Sequence, residues 1–185
     1  MMSDYNLRRM TDQDLDDWWN AEKNDWKDNW YPSDYFECID VVKAKLHAYP
    51  EGCWILETYG TIKAYGISHP WVKEQSVGLN ELDEYYDHMR GSPRNVNFDC
   101  YYVHDVCVMP GCRGCGYGST IVMKLLAVGH NAGFDCFKLV SVLGSHPFWM
   151  KFGLEVVSDT KYGGKPAKVM EYRYNTKKPE KLCLA

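Results

Sequence analysis

Residues 98–109, FDCYYVHDVCVM, are rich in aromatic and β-branched side chains and stop at Pro110. The chain then passes through PGCRGCGYGS and enters STIVMKLLAVGHNAG, whose apolar residues fall at 121, 122, 125, 126 and 128. The first run has the composition of a strand, the second the spacing of a helix, and Gly133 is a natural stop for it. A strand delivered into a helix through a glycine-rich turn confines the chain to folds that mix strands with covering helices. It also places a set of converging backbone N–H groups at a helix N-terminus, which is a geometry suited to an anion.

Three anion loops are distinguishable by spacing. A P-loop requires a lysine directly before its Ser or Thr, and Ser119 follows Gly118. A dinucleotide fingerprint opens the first βαβ unit and is followed about 20 residues later by an acid; neither condition is met. The remaining pattern is RxxGxG, formed by Arg113, Gly116 and Gly118. Its backbone amides, the helix end and the arginine together suit a diphosphate without a metal. A turn whose glycines serve only tight packing is the plain alternative. Cys112 and Cys115 are spaced as CxxC, but the other cysteines form no second short-spaced pair, so a structural zinc site is not expected.

The rest of the chain reads as one domain over 1–175 with a tail at 176–185 and an insertion at 71–97, a lid or a contact for a second copy of the chain. YNLRRM is a short strand, Thr11 with Asp14 is a helix cap, and 34–47 has helical spacing. CWILE and TIKAYGIS flank a hairpin turn at Thr58-Tyr59-Gly60. CFKLVSV is a strand, HPFWMKF a short helix, and LEVVS pairs with AKVMEYRY around Gly163-Gly164. The fold class is α/β, with a mixed sheet and crossover helices. No run approaches the roughly 18 apolar residues of a membrane span, and the start lacks the apolar core of a signal peptide. A soluble, cytoplasmic protein with mostly free thiols is expected. The net charge of −4 argues against a nucleic-acid partner held through phosphates.

VHDVCVMPGCRGCGYGSTIVMKLL resembles motif A of the GCN5-related N-acetyltransferases (GNAT), and LVSVLGSHPFWMKFGLEVV is similar to their following block. NLRRMTDQDLDDWWNAE and WILETYGTIKAYGISHP resemble their first strand and helix and their second and third strands. The resemblance spans about residues 5–175. It implies a mixed sheet of about six or seven strands with about four helices, splayed between the fourth and fifth strands. It implies acetyl-CoA as co-substrate: Val106, Cys107 and Val108 meet the pantetheine arm through their backbone. Arg113, Gly114, Cys115, Gly116, Tyr117, Gly118 and Ser119 hold the pyrophosphate, and a strand N–H polarises the thioester carbonyl.

The implied reaction is direct acetyl transfer to a primary amine. At neutral pH that amine is protonated, and removing its proton costs about 4–5 kcal/mol, so a base is needed. His104 is the first candidate. It precedes the loop, its type titrates near neutrality, and His104-Asp105 stands where diamine acetyltransferases have glutamate-aspartate. His69 and Glu57 are weaker candidates. The family's general acid is a tyrosine four residues before the glycine of the Phe152-Gly153-Leu154 turn; here that position is Trp149, which cannot donate such a proton.

The stretch 12–40 holds ten acids against two lysines and four of the seven tryptophans. Asp28, Trp30, Tyr31 and Asp34, with neighbours such as Glu37, suit a small polycation through ion pairing and cation–π contact, and the favoured acceptor is a polyamine or diamine. An ordinary solvated helix face explains the same acids. A protein lysine or N-terminus is the alternative acceptor, and a catalytically inactive acetyl-CoA-binding protein is the alternative outside enzymes.

Overall fold

The computed structural model describes residues 4–17, 37–75 and 97–173. Among the described residues seven strands form one sheet: β1 (Asn6–Arg9), β2 (Cys53–Thr58), β3 (Thr61–Trp71), β4 (Cys100–Val108), β5 (Cys136–Ser141), β6 (Glu155–Tyr162) and β7 (Lys165–Arg173). Their order is β1-β2-β3-β4-β5-β7-β6. Every neighbouring pair is antiparallel except β4 and β5, which run parallel. The α-helices among the described residues are α1 (described at 12–17), α2 (Ile39–Ala48), α3 (Tyr117–Asn131) and α4 (His146–Met150).

The two faces of the sheet have separate cores. On one, Ile121, Val122 and Leu125 of α3 pack over Leu56, Ala64, Tyr101, Val103, Phe137 and Met170. On the other, Leu15 of α1 with Val42 and Leu46 of α2 cover Ile55, Tyr65 and Ile67. This is the layered burial that an amphipathic helix and a two-faced sheet require.

Local chemistry explains most element ends. Tyr59 and Gly60 both have positive φ, 51° and 72°, which is the two-residue turn that matches strand twist. Thr11 donates its backbone N–H and its hydroxyl to Asp14 Oδ2, each at 2.7 Å, so Asp14 closes the start of α1. Gly133, at φ 90°, ends α3: its N–H donates to His130 O and that of Phe134 to Gly129 O, a Schellman pair.

Three expectations shift. The helix expected at 34–47 begins at Ile39 and ends at Ala48; residues 34–36 lie outside the described residues. Trp71, expected in an insertion, belongs to β3, because Ser68-His69-Pro70-Trp71 continues in register with Cys100–Val103 of β4. Most of the expected insertion, 76–96, and the expected tail lie outside the described residues.

Candidate active site

β4 and β5 pair only at Tyr101↔Phe137 and Tyr102↔Lys138. Beyond those two rungs the strands part. The gap is a cavity of about 630 Å³ walled by Val103–Val108 on one side and by Leu139, Val140 and Val142 on the other. One end is closed by Arg113, Gly114, Gly116, Tyr117, Gly118 and Ser119, and Phe148 and Trp149 of α4 line the far wall.

The loop has the properties an anion needs. Gly111, Gly114 and Gly116 take positive φ, so the backbone curls in a way that L side chains resist. Gly116 is the N-cap of α3, and the helix start carries neither a side-chain cap nor an acid in its first turn. The helix start, with the positive end of its dipole, therefore borders the cleft without a carboxylate to offset it. A Cβ at Gly118 would sit 3.1 Å from Val108 Cγ2, so this glycine lets the helix start close against β4. Cys112 is partly buried against the α2-side core and Cys115 is exposed. Among the described residues no group of three His, Cys, Asp or Glu is placed to hold a metal.

Behind the β4 wall lies a feature that strand alternation does not foretell. Ile67 pairs with Asp105 and Ser68 with Val103, leaving His104 unmatched on β3. This β-bulge re-aims the chain. Tyr101, Val103 and Val106 point toward α3, while Asp105 joins Tyr65 on the α2 side, its Oδ2 accepting the Tyr65 hydroxyl at 2.7 Å. His104 also faces α2, so two successive polar side chains share a face.

His104 meets a buried ion pair there. Its side chain is 2% exposed, and Nε2 lies 2.5 Å from Lys45 Nζ and 2.9 Å from Glu37 Oε1. Lys45, equally buried, also donates to both Glu37 oxygens, to Oε2 at 2.5 Å. Burial alone would raise Glu37, but its contacts with His104 and Lys45 outweigh it and hold the carboxyl well below its ordinary range. Burial lowers Lys45 against the pull of Glu37. Burial also raises Asp105, opposed by the Tyr65 hydrogen bond.

The remaining expected residues fall as follows. Val106, Cys107 and Val108 lie on the cleft wall. His69 is fully buried, its Nδ1 bonded to Pro70 O at 3.0 Å, and burial drives it well below the ordinary imidazole range; it packs as core. Glu57 accepts from Arg8 and Asn6 and is not among the residues lining the cleft. Trp149 lines the cleft and its indole N–H reaches Ser145 Oγ at 3.3 Å. Glu37 turns inward to Lys45 rather than outward to an acceptor. Asp28, Trp30, Tyr31 and Asp34 lie outside the described residues. Lys45 was not foreseen, although it sits among Val41, Val42 and Leu46 on the buried stripe of α2, where a lysine is out of place.

A sheet opened between parallel strands above a glycine-rich helix start is the arrangement that the resemblance in sequence implies for a coenzyme A thioester. The chain belongs to the acetyltransferase (GNAT) family, whose profile matches residues 13–154. This bears out the reading as an acetyl-CoA-dependent acetyltransferase. Among solved structures, the loading GNATL domain of CurA from Lyngbya majuscula superposes with a TM-score of 0.73 at 14% identity, covering 93% of this chain and 98% of that one. A GNAT family acetyltransferase from Brucella melitensis, solved with acetyl-CoA, gives 0.59 at 16%, covering 93% and 89%. Naa20 from Chaetomium thermophilum, in complex with a bisubstrate analogue, gives 0.64 at 17%, covering 91% and 86%. At these identities the likeness is one of fold. No curated protein matches the chain in sequence.

Proposed function

We propose that this protein carries acetyl-CoA in the β4–β5 cleft and delivers its acetyl group to a primary amine, with a small polyamine as the acceptor. The observation that supports the reading most is the cleft itself, which runs from the bulged segment of β4 to the uncapped start of α3. Arg113 and the amides of 114–119 hold the pyrophosphate, and the backbone of 106–108 aligns the pantetheine. The co-substrate supplies an activated acetyl thioester. The chain's part is to orient the amine, exclude water and take the amine's proton.

His104 is the group proposed to take that proton, from the side of the strand opposite α3. Asp105, held by Tyr65, fixes the bulge on which His104 sits. With tryptophan at position 149, the leaving thiolate departs without a phenolic donor, which a thiol of ordinary acidity near pKa 8.5 tolerates. The polyamine preference rests on the acids and aromatic residues of 12–40. A protein lysine or N-terminus is the competing acceptor for the same acidic stretch of sequence.

The test is release of free coenzyme A thiol from acetyl-CoA with a panel of diamines, spermidine, spermine, lysine peptides and amino acids. Release confined to polyamines is expected. Release with peptides alone overturns the acceptor, and absence of release with every amine, despite acetyl-CoA binding, overturns the enzyme.

A further inference from the structure

Two opposite partners meet one nitrogen of His104. Lys45, donor-only when charged, lies 2.5 Å from Nε2, and Glu37 Oε1, acceptor-only, lies 2.9 Å from the same atom. The other ring nitrogen, Nδ1, is buried and has no hydrogen-bond partner among the described residues. We propose that Lys45 is a positioning residue that decides which nitrogen of His104 carries the proton, and thereby whether His104 can act as a base. The proposal rests on the reading of His104 as the base.

A neutral imidazole has one N–H and one lone pair. When Lys45 is an ammonium it donates to Nε2, so the imidazole proton sits on Nδ1 and the one remaining lone pair, on Nε2, is taken by Lys45. When Lys45 is a neutral amine, Nε2–H donates to Glu37 and Nδ1 keeps its lone pair. Only the second form can accept a proton from an amine, and loss of one proton from Lys45 converts the first into the second.

The surroundings leave that choice to Lys45. Around His104 stand Glu37 from the segment before α2, Lys45 from α2, His69 from β3, and Tyr102 and Asp105 from β4. The His69 and Tyr102 rings lie 5.9 and 6.0 Å away, centroid to centroid, and the Asp105 carboxylate is taken by Tyr65. Burial of Lys45 favours its neutral form and Glu37 opposes this, so the switch sits below the ordinary lysine range.

The experiment is nitrogen NMR of the imidazoles in the full chain, with the His104 signals assigned by their loss in His104→Asn. Spectra are taken near neutrality and at a pH in the ordinary lysine range, for wild type, Lys45→Arg and Lys45→Met. In the wild type the proton is expected on Nδ1 near neutrality and on Nε2 at alkaline pH. Lys45→Arg, charged throughout, keeps it on Nδ1 at both; Lys45→Met keeps it on Nε2 at both. One unchanging tautomer across all three proteins overturns the proposal. Should Lys45→Met fail to fold, the wild-type pair against Lys45→Arg decides alone. Activity at the alkaline pH, where the two proteins are expected to differ in tautomer, separates the two readings: if the tautomers follow Lys45 there while Lys45→Arg transfers acetyl at the wild-type rate, the Lys45 assignment holds and His104 is not the base.

Discussion

His104 and Asp105 face the same way because one residue of β4 has no partner on β3. The residue types were legible in the sequence, and so was their place before the loop; their shared orientation was not, since a period of two sends neighbours to opposite faces. Lys45 was missed for a related reason. A lysine in a helix is read as solvated, and only its spacing from Val41, Val42 and Leu46 argued otherwise. Replacing His104 with alanine is expected to lower kcat for amine acetylation by about 10²–10⁴-fold at alkaline pH, where Lys45 is neutral, with acetyl-CoA affinity retained, as steady-state kinetics beside a binding titration will show. A second site tests the electrostatics away from the cleft. Arg8 bonds both Asp14, at 2.7 Å, and Glu57, at 2.8 Å. Burial alone would raise Asp14, but the hydrogen bonds from Arg8 and Thr11 hold it below the ordinary carboxylate range. A depressed carboxylate contributes stability above its unfolded pKa and loses it as pH falls through the folded one. Arg8→Met is therefore expected to cost roughly 1 kcal/mol near neutrality, in the range of partly exposed pairs. Urea midpoints will show that gap closing as the medium is acidified below the carboxylate range.

At the scale of elements, α3 and β4 were the most legible, because apolar period, glycine stop and proline break all agreed. The hairpin at Tyr59-Gly60 and the β6–β7 pair were equally plain from their turn residues. The far end of β3 was not, since a histidine and a proline in sequence suggest a loop, whereas pairing with β4 carries the strand to Trp71. Gly129 shows why packing overrides local preference. Alanine is the better helix former by about 1 kcal/mol, yet a Cβ there would lie 2.5 Å from Tyr101 Cδ1 and 2.6 Å from Phe137 Cε1. Gly129→Ala is expected to destabilise the protein by about 1–3 kcal/mol through overpacking, read from its denaturation midpoint. A gain in stability would mean that the two rings yield without cost.

At the scale of the molecule, the splay between β4 and β5 joins all the parts: a two-rung parallel pair, a glycine-rich helix start at one end and a buried ionic group behind the bulge. The family resemblance led to this opening, while composition and period alone indicated only a mixed sheet. No helix among the described residues is long and apolar enough to cross a membrane. Ligand that binds only the folded form stabilises it by about 2.7 kcal/mol at a hundredfold excess over Kd, so saturating acetyl-CoA is expected to raise the thermal midpoint clearly. The most direct measurement is a calorimetric titration of acetyl-CoA into the wild type and into Gly116→Val, whose branched side chain cannot take the loop's positive φ without strain. One saturable site per chain, weakened at least tenfold in the variant, about 1.4 kcal/mol, is the predicted result. No binding, or equal affinity in the two proteins, would contradict the assignment of this cleft and its loop to acetyl-CoA.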